Sequence, residues 1–144
     1  MGKPDQLRLN IFLVASEHEL PYMLQRAFEE LNIAADVHWE GVAGTALKVL
    51  ANRAGEGEPI DLIIVDWRAG NDAGAELVRA ARRIAGLEKV VVAVFTGEHE
   101  AAQQPLIEAG ADALFQRRWQ FDELLEEVRA LQEFWLRNTP RVFV

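Results

Sequence analysis

Three short runs in this chain are apolar almost without interruption: LNIFLV at 9–14, DLIIVD at 61–66 and VVVAVF at 90–95. A strand with one face in water alternates apolar and polar residues, whereas a strand covered on both faces does not. Runs this short and this apolar therefore call for a parallel sheet with helices on both sides. Two further runs, ADVHW at 35–39 and ALFQ at 113–116, bring the set to five; ADVHW alternates and reads as an edge strand. The segments between them carry apolar residues at helical spacing. Leu24, Phe28 and Leu31 mark 20–31, Ala46, Leu47 and Leu50 mark 42–54, and Leu77, Val78, Ala81 and Ile84 mark 73–85. Leu106 and Ala109 mark 101–109, with Pro105 expected in its first turns, where a missing N–H is tolerated. The clearest stripe, Leu124, Leu125, Val128, Leu131, Phe134 and Trp135, spans 121–136. Gly86 and Gly110 fall where helix C-caps belong. The order is strand then helix, five times over. Right-handed crossovers make that a three-layer α/β sandwich: one domain over 1–138, followed by a tail at 139–144.

Composition narrows the function. A length of 144 residues fits one domain with a substantial core, and the absence of cysteine excludes disulfides, thiolate catalysis and cysteine zinc sites. The net charge of −8 argues against binding nucleic acid through its phosphates. No apolar segment approaches the roughly 20 residues that span a bilayer. No apolar h-region follows a basic start, so no signal peptide is expected and the location expected is cytoplasmic.

In a doubly wound sheet, functional groups gather beyond the carboxyl ends of the strands. Those ends carry ASEHE at 15–19, Asp66 with WRAGNDAG, TGEHE at 96–100, and Arg117, Arg118 and Trp119. The set resembles the receiver domain of two-component response regulators over nearly the whole chain. The resemblance is carried by LIIVD with Gly70 and Gly74 four and eight residues on, by VAVFTGE through Thr96, and by GADALFQR at 110–117. The ending EFWLRNTPRVFV is similar to that of stand-alone receivers that partner bacterial phytochrome kinases. The resemblance implies a flavodoxin-like strand order, 2-1-3-4-5. It also implies a non-enzymatic signalling protein whose partner is a histidine kinase or another sensor, and which signals through partners because no output domain is expected here.

The resemblance makes Asp66 the phosphoacceptor position and Thr96 the switch hydroxyl, and the carbonyl of Arg68 falls where the family binds magnesium. Three positions depart. The family's acidic pair after the first strand falls on Ala15 and Ser16, its phosphoryl-binding lysine on Arg117, and the following proline on Arg118. Magnesium wants hard oxygen ligands in near-octahedral array, so a site reduced to Asp66, Ser16 and a backbone carbonyl should hold it poorly. Glu17 is the one nearby acid that could replace the lost pair. Arginine keeps the lysine's charge but presents a planar fork. The preferred expectation is an atypical receiver with impaired magnesium-dependent phosphorylation, in which Arg68 and Arg117 neutralise Asp66. As surface-cleft ion pairs these would add little stability. The alternative is a working phosphoacceptor using Glu17.

The same residues speak to other classes of function. A dinucleotide-binding domain needs GxGxxG after the first strand, and ASEHEL has none. A transition-metal site would need His18 and His99, beside Glu17, Glu19, Glu98 and Glu100, to converge with Asp66; two solvated loop histidines are the simpler reading. Trp119 is expected to pack into the core. Phe134 and Trp135 are read mostly as core with an exposed last turn, and with Val142 and Phe143 they are candidates for an interaction surface. A tail carrying Val142, Phe143 and Val144 points to a homodimer contact, since such residues are costly to leave in water.

Overall fold

The structure, a computed structural model, describes residues 8–67, 73–97 and 100–138. Five parallel strands, β1 (Leu9–Val14), β2 (Ala35–Glu40), β3 (Leu62–Trp67), β4 (Val91–Thr96) and β5 (Ala113–Gln116), form one sheet in the order β2-β1-β3-β4-β5. They alternate with helices α1 (Glu19–Glu30), α2 (Ala43–Gly55), α3 (Ala73–Arg82), α4 (Glu100–Ala109) and α5 (Phe121–Asn138). This is the flavodoxin-like α/β fold expected.

The uninterrupted apolar runs are the three central strands, and β4 is buried at every position. Alternate residues serve opposite layers. Ile11, Leu13, Leu62 and Ile64 pack with Leu24, Phe28, Leu124, Val128 and Trp135 of α1 and α5. Phe12, Val14, Ile63 and Val65 pack with Leu50, Leu77, Val78 and Leu106 of α2, α3 and α4. β2 lies at the edge, as its alternation required, and ends on a charged cluster. The Nδ1 atom of His38 accepts from Arg53 at 3.1 Å, which leaves its Nε2–H to donate to Glu40 at 2.6 Å. On the same strand, Arg8 hydrogen-bonds Asp36 and holds that carboxyl below its usual range.

Helix ends required the most correction. α4 closes at Gly110 (φ +118) as expected: Gly110 N–H bonds the Ile107 carbonyl and Ala111 N–H reaches back to Leu106, the paired pattern of a Schellman cap. α3 stops at Arg82 rather than at 85. The N–H groups of Arg83 and Ile84 bond three residues back, tightening the last turn, so Gly86 (φ +95) lies in the following turn and caps no helix. Pro105 is interior to α4, because the helix begins at Glu100, and α4 forgoes one backbone hydrogen bond there. Among the described residues no helix is long and apolar enough to cross a membrane.

Candidate functional site

All five strands point the same way, so their carboxyl ends form one edge of the sheet. Pairing brings the candidates together there: Val14 is level with Val65, Asp66 with Phe95, and Trp67 with Thr96. One hydrogen bond beyond the β4–β5 ladder, Arg117 N–H to the Thr96 carbonyl at 3.0 Å, carries Arg117 to the same edge.

Asp66 and Arg117 meet. Arg117 Nε lies 3.8 Å from Asp66 Oδ1, and the two side chains are only 6% and 3% exposed. The expectation of a surface-cleft pair is therefore wrong. These charges are withdrawn from water, where a pair is attracted strongly but each member is costly to leave alone. Arg117 Nη1 also donates to the Arg118 carbonyl at 2.9 Å, and the guanidinium carbon sits 4.1 Å from the centre of the Trp119 ring. Thr96 is buried at 2% exposure.

Trp119 departs from expectation. It is 63% exposed, and its ring stacks on Arg117 instead of packing into the core. The turn that carries it is fixed by Glu127 of α5, which accepts from Gln116 N–H at 3.0 Å and lies 3.6 Å from Arg118 Nε.

On the β1 side, Ala15 is buried and carries no donor atom in its side chain, while Ser16 and Glu17 are exposed. His18, also exposed, begins α1 with its carbonyl, which accepts from Tyr22 N–H. Among the described residues no three of His, Asp and Glu gather as a metal cluster. Arg68, Gly70, Glu98, His99, Val142 and Phe143 lie outside the described residues. Trp135 is 2% exposed and its indole N–H donates to the Asp61 carbonyl at 3.3 Å; an aromatic so placed serves the core of this chain first. Phe134 is half-buried against the same core, while Leu136 in the last turn is exposed. A cavity of about 200 Å3 lies beside β2, lined by Asn10, Phe12, Asp36, His38 and Arg53 among others, and the Asp66 cluster takes no part in it.

One neighbour of the site was not legible in the sequence. Trp39, at the end of the edge strand, donates its indole N–H to the Ala15 carbonyl at 2.7 Å. It thus binds the backbone of Ala15, the residue level with the carboxyl end of β3. Trp39→Phe removes that donor and leaves a carbonyl of a buried residue unsatisfied, so it is expected to cost about 1 kcal/mol. Calorimetry should then show a midpoint lower by roughly 2–4 °C; an unchanged midpoint would mean that water replaces the indole freely.

No family model and no curated protein matches the sequence. Solved structures do match the fold. A response regulator in red light signaling of R. palustris aligns with a TM-score of 0.72 at 20% identity, covering 94% of this chain and 100% of that one. The phosphorylated cyanobacterial phytochrome response regulator RcpA aligns with a TM-score of 0.75 at 16% identity, covering 90% and 95%. The receiver domain of a sensor histidine kinase from Pseudomonas aeruginosa PAO1, with magnesium coordinated in its active site cleft, aligns with a TM-score of 0.68 at 17% identity, covering 90% and 98%.

Proposed function

We propose that this chain, built on the receiver fold, is a stand-alone response-regulator receiver protein of two-component phosphorelay signalling. Its magnesium-dependent phosphorylation at Asp66 is impaired, and it signals by protein–protein contact rather than as an enzyme. The observation that carries the reading is the buried approach of the Arg117 guanidinium to Asp66, where the described oxygen donors fall short of a magnesium shell. Magnesium holds one or two carboxylates plus waters at near-octahedral angles. Here the buried Asp66 carboxylate faces the Arg117 guanidinium, and Ala15 and Ser16 supply no second carboxylate. On this reading the described residues fit the ion poorly.

The similarity in fold to phytochrome response regulators supports a sensor histidine kinase as partner and a cytoplasmic location. Thr96 and Arg117 are the positions that would contact a phosphoryl group on Asp66. The test is incubation with acetyl phosphate and magnesium, read by intact mass. The expected result is little or no adduct. A stoichiometric adduct, absent in Asp66→Asn, would establish the working phosphoacceptor instead, with Glu17 the candidate ligand.

The tail at 139–144 is proposed as a homodimer contact, with Val142 and Phe143 its apolar side chains and Phe134 a further candidate on α5, while the buried Trp135 stays with the core of this chain. Deleting 139–144 is expected to reduce the mass measured by light scattering from dimer to monomer. An unchanged mass defeats the dimer.

A further inference from the structure

Two side chains of the β5–α5 connection, Arg117 and Trp119, touch one another, and neither placement is explained by the core. Arg117 is a buried cation, while Trp119 is a large apolar residue left 63% exposed. We propose that Trp119 is a positioning residue: its indole face holds the Arg117 guanidinium over Asp66, so that Arg117 stands as the permanent counter-charge of that carboxylate. The inference deepens the reading of an impaired acceptor and rests on Arg117 having that role.

The geometry supplies the reason. The Arg117–Asp66 separation of 3.8 Å is longer than a hydrogen bond, so that contact attracts the guanidinium without fixing the direction of its plane. The bond from Nη1 to the Arg118 carbonyl fixes one nitrogen. The centre of the Trp119 ring, 4.1 Å from the guanidinium carbon, is close enough to hold the cation against its face, and a flat, weakly hydrated cation gains from lying there. A lysine ammonium has no plane to stack, so an arginine at position 117 and a tryptophan at 119 belong together. The exposed side of the indole lies outside this contact. A protein that moved Trp119 would therefore act on a buried charge that it never touches.

The test is NMR of the Arg117 Nε–H group in the full chain, assigned with Arg117→Lys. In the wild-type protein the ring should shift this resonance upfield of exposed arginines, and Asp66→Asn should move it. Trp119→Ala should lose the upfield shift and blunt the response to Asp66→Asn, while Trp119→Phe should keep much of both. The proposal is overturned if Trp119→Ala leaves the shift in place, if Trp119→Phe behaves like Trp119→Ala, or if the response to Asp66→Asn survives without Trp119. Stoichiometric acetyl-phosphate labelling of the wild type would sink the impaired-acceptor reading alone, and the Arg117 resonance would still decide the role of Trp119.

Discussion

Arg82→Ala is expected to lower the thermal midpoint by about 6–12 °C, a loss of about 3 kcal/mol. This side chain donates to several separate segments. Arg82 ends α3 and turns back beneath the sheet, at the edge opposite Asp66. Its Nε and Nη2 donate to the Gly110 carbonyl at 3.0 and 2.8 Å, and Nη1 donates to Val90 at 2.5 Å with longer contacts to Leu87 and Glu88. Nη2 also pairs with Asp112, whose carboxylate accepts the N–H of Val92. One guanidinium thus joins the end of α3, the loop into β4 and the loop into β5. Truncation leaves the part-buried carbonyls of Gly110, Leu87 and Val90 without this donor, and their desolvation is the main cost. The side chain of Asp112 is 39% exposed, so the ion pair itself contributes less than a fully buried one would. Arg82→Lys should recover less than half, because an ammonium cannot reach acceptors on three sides at once. Gly110→Ala should be damaging too: φ is +118° there, and an added Cβ would come within 3.0 Å of the Arg82 stem. A midpoint for Arg82→Ala close to that of the wild type would show that water takes over these acceptors.

Placing carboxylates after β1, with Ala15→Asp and Ser16→Asp together, is expected to raise magnesium-dependent labelling of Asp66 by acetyl phosphate at least about tenfold. The argument is one of donor count. A second and third carboxylate beside Asp66 would supply the hard oxygens that magnesium needs and offset the repulsion of Arg117. Position 15 is buried and its carbonyl is capped by Trp39, so the double variant tests the fold as well as the site. Ser16→Asp alone, at an exposed position, is the milder version and should give a smaller gain. Asp66→Asn in either background should abolish the adduct. If folded variants, checked by circular dichroism, label no better than the wild type, the missing acids are not what limits Asp66.

The first of these predictions comes from contacts between segments distant in sequence, and that is where the sequence was least legible. The bounds of β1 and β5 and the edge position of β2 follow from local apolar pattern alone. So does Gly110, since a glycine after a helical stripe marks a left-handed cap. The end of α3 did not follow. Its helical spacing runs on through Ile84, but the backbone tightens after Ala81 while Arg82 folds back to carbonyls in two later loops. Trp39 read as one more residue of an alternating strand, and its partner, Ala15, lies 24 positions away.

The sequence by itself determined the five strands and five helices, the two-sided burial of the central strands, and the arrival of Asp66, Thr96 and Arg117 at one edge. Those follow from hydrophobic periodicity and chain direction, which are local properties. It also determined that Ala15 and Ser16 lack carboxylates, because side-chain chemistry needs no coordinates. Only the tertiary structure decided that Arg117 lies buried beside Asp66, that Trp119 stacks on it rather than joining the core, and that Trp39 closes over Ala15. The physical reason is that a side chain's partner is set by strand register and by where loops cross. Both are fixed only once the sheet is assembled.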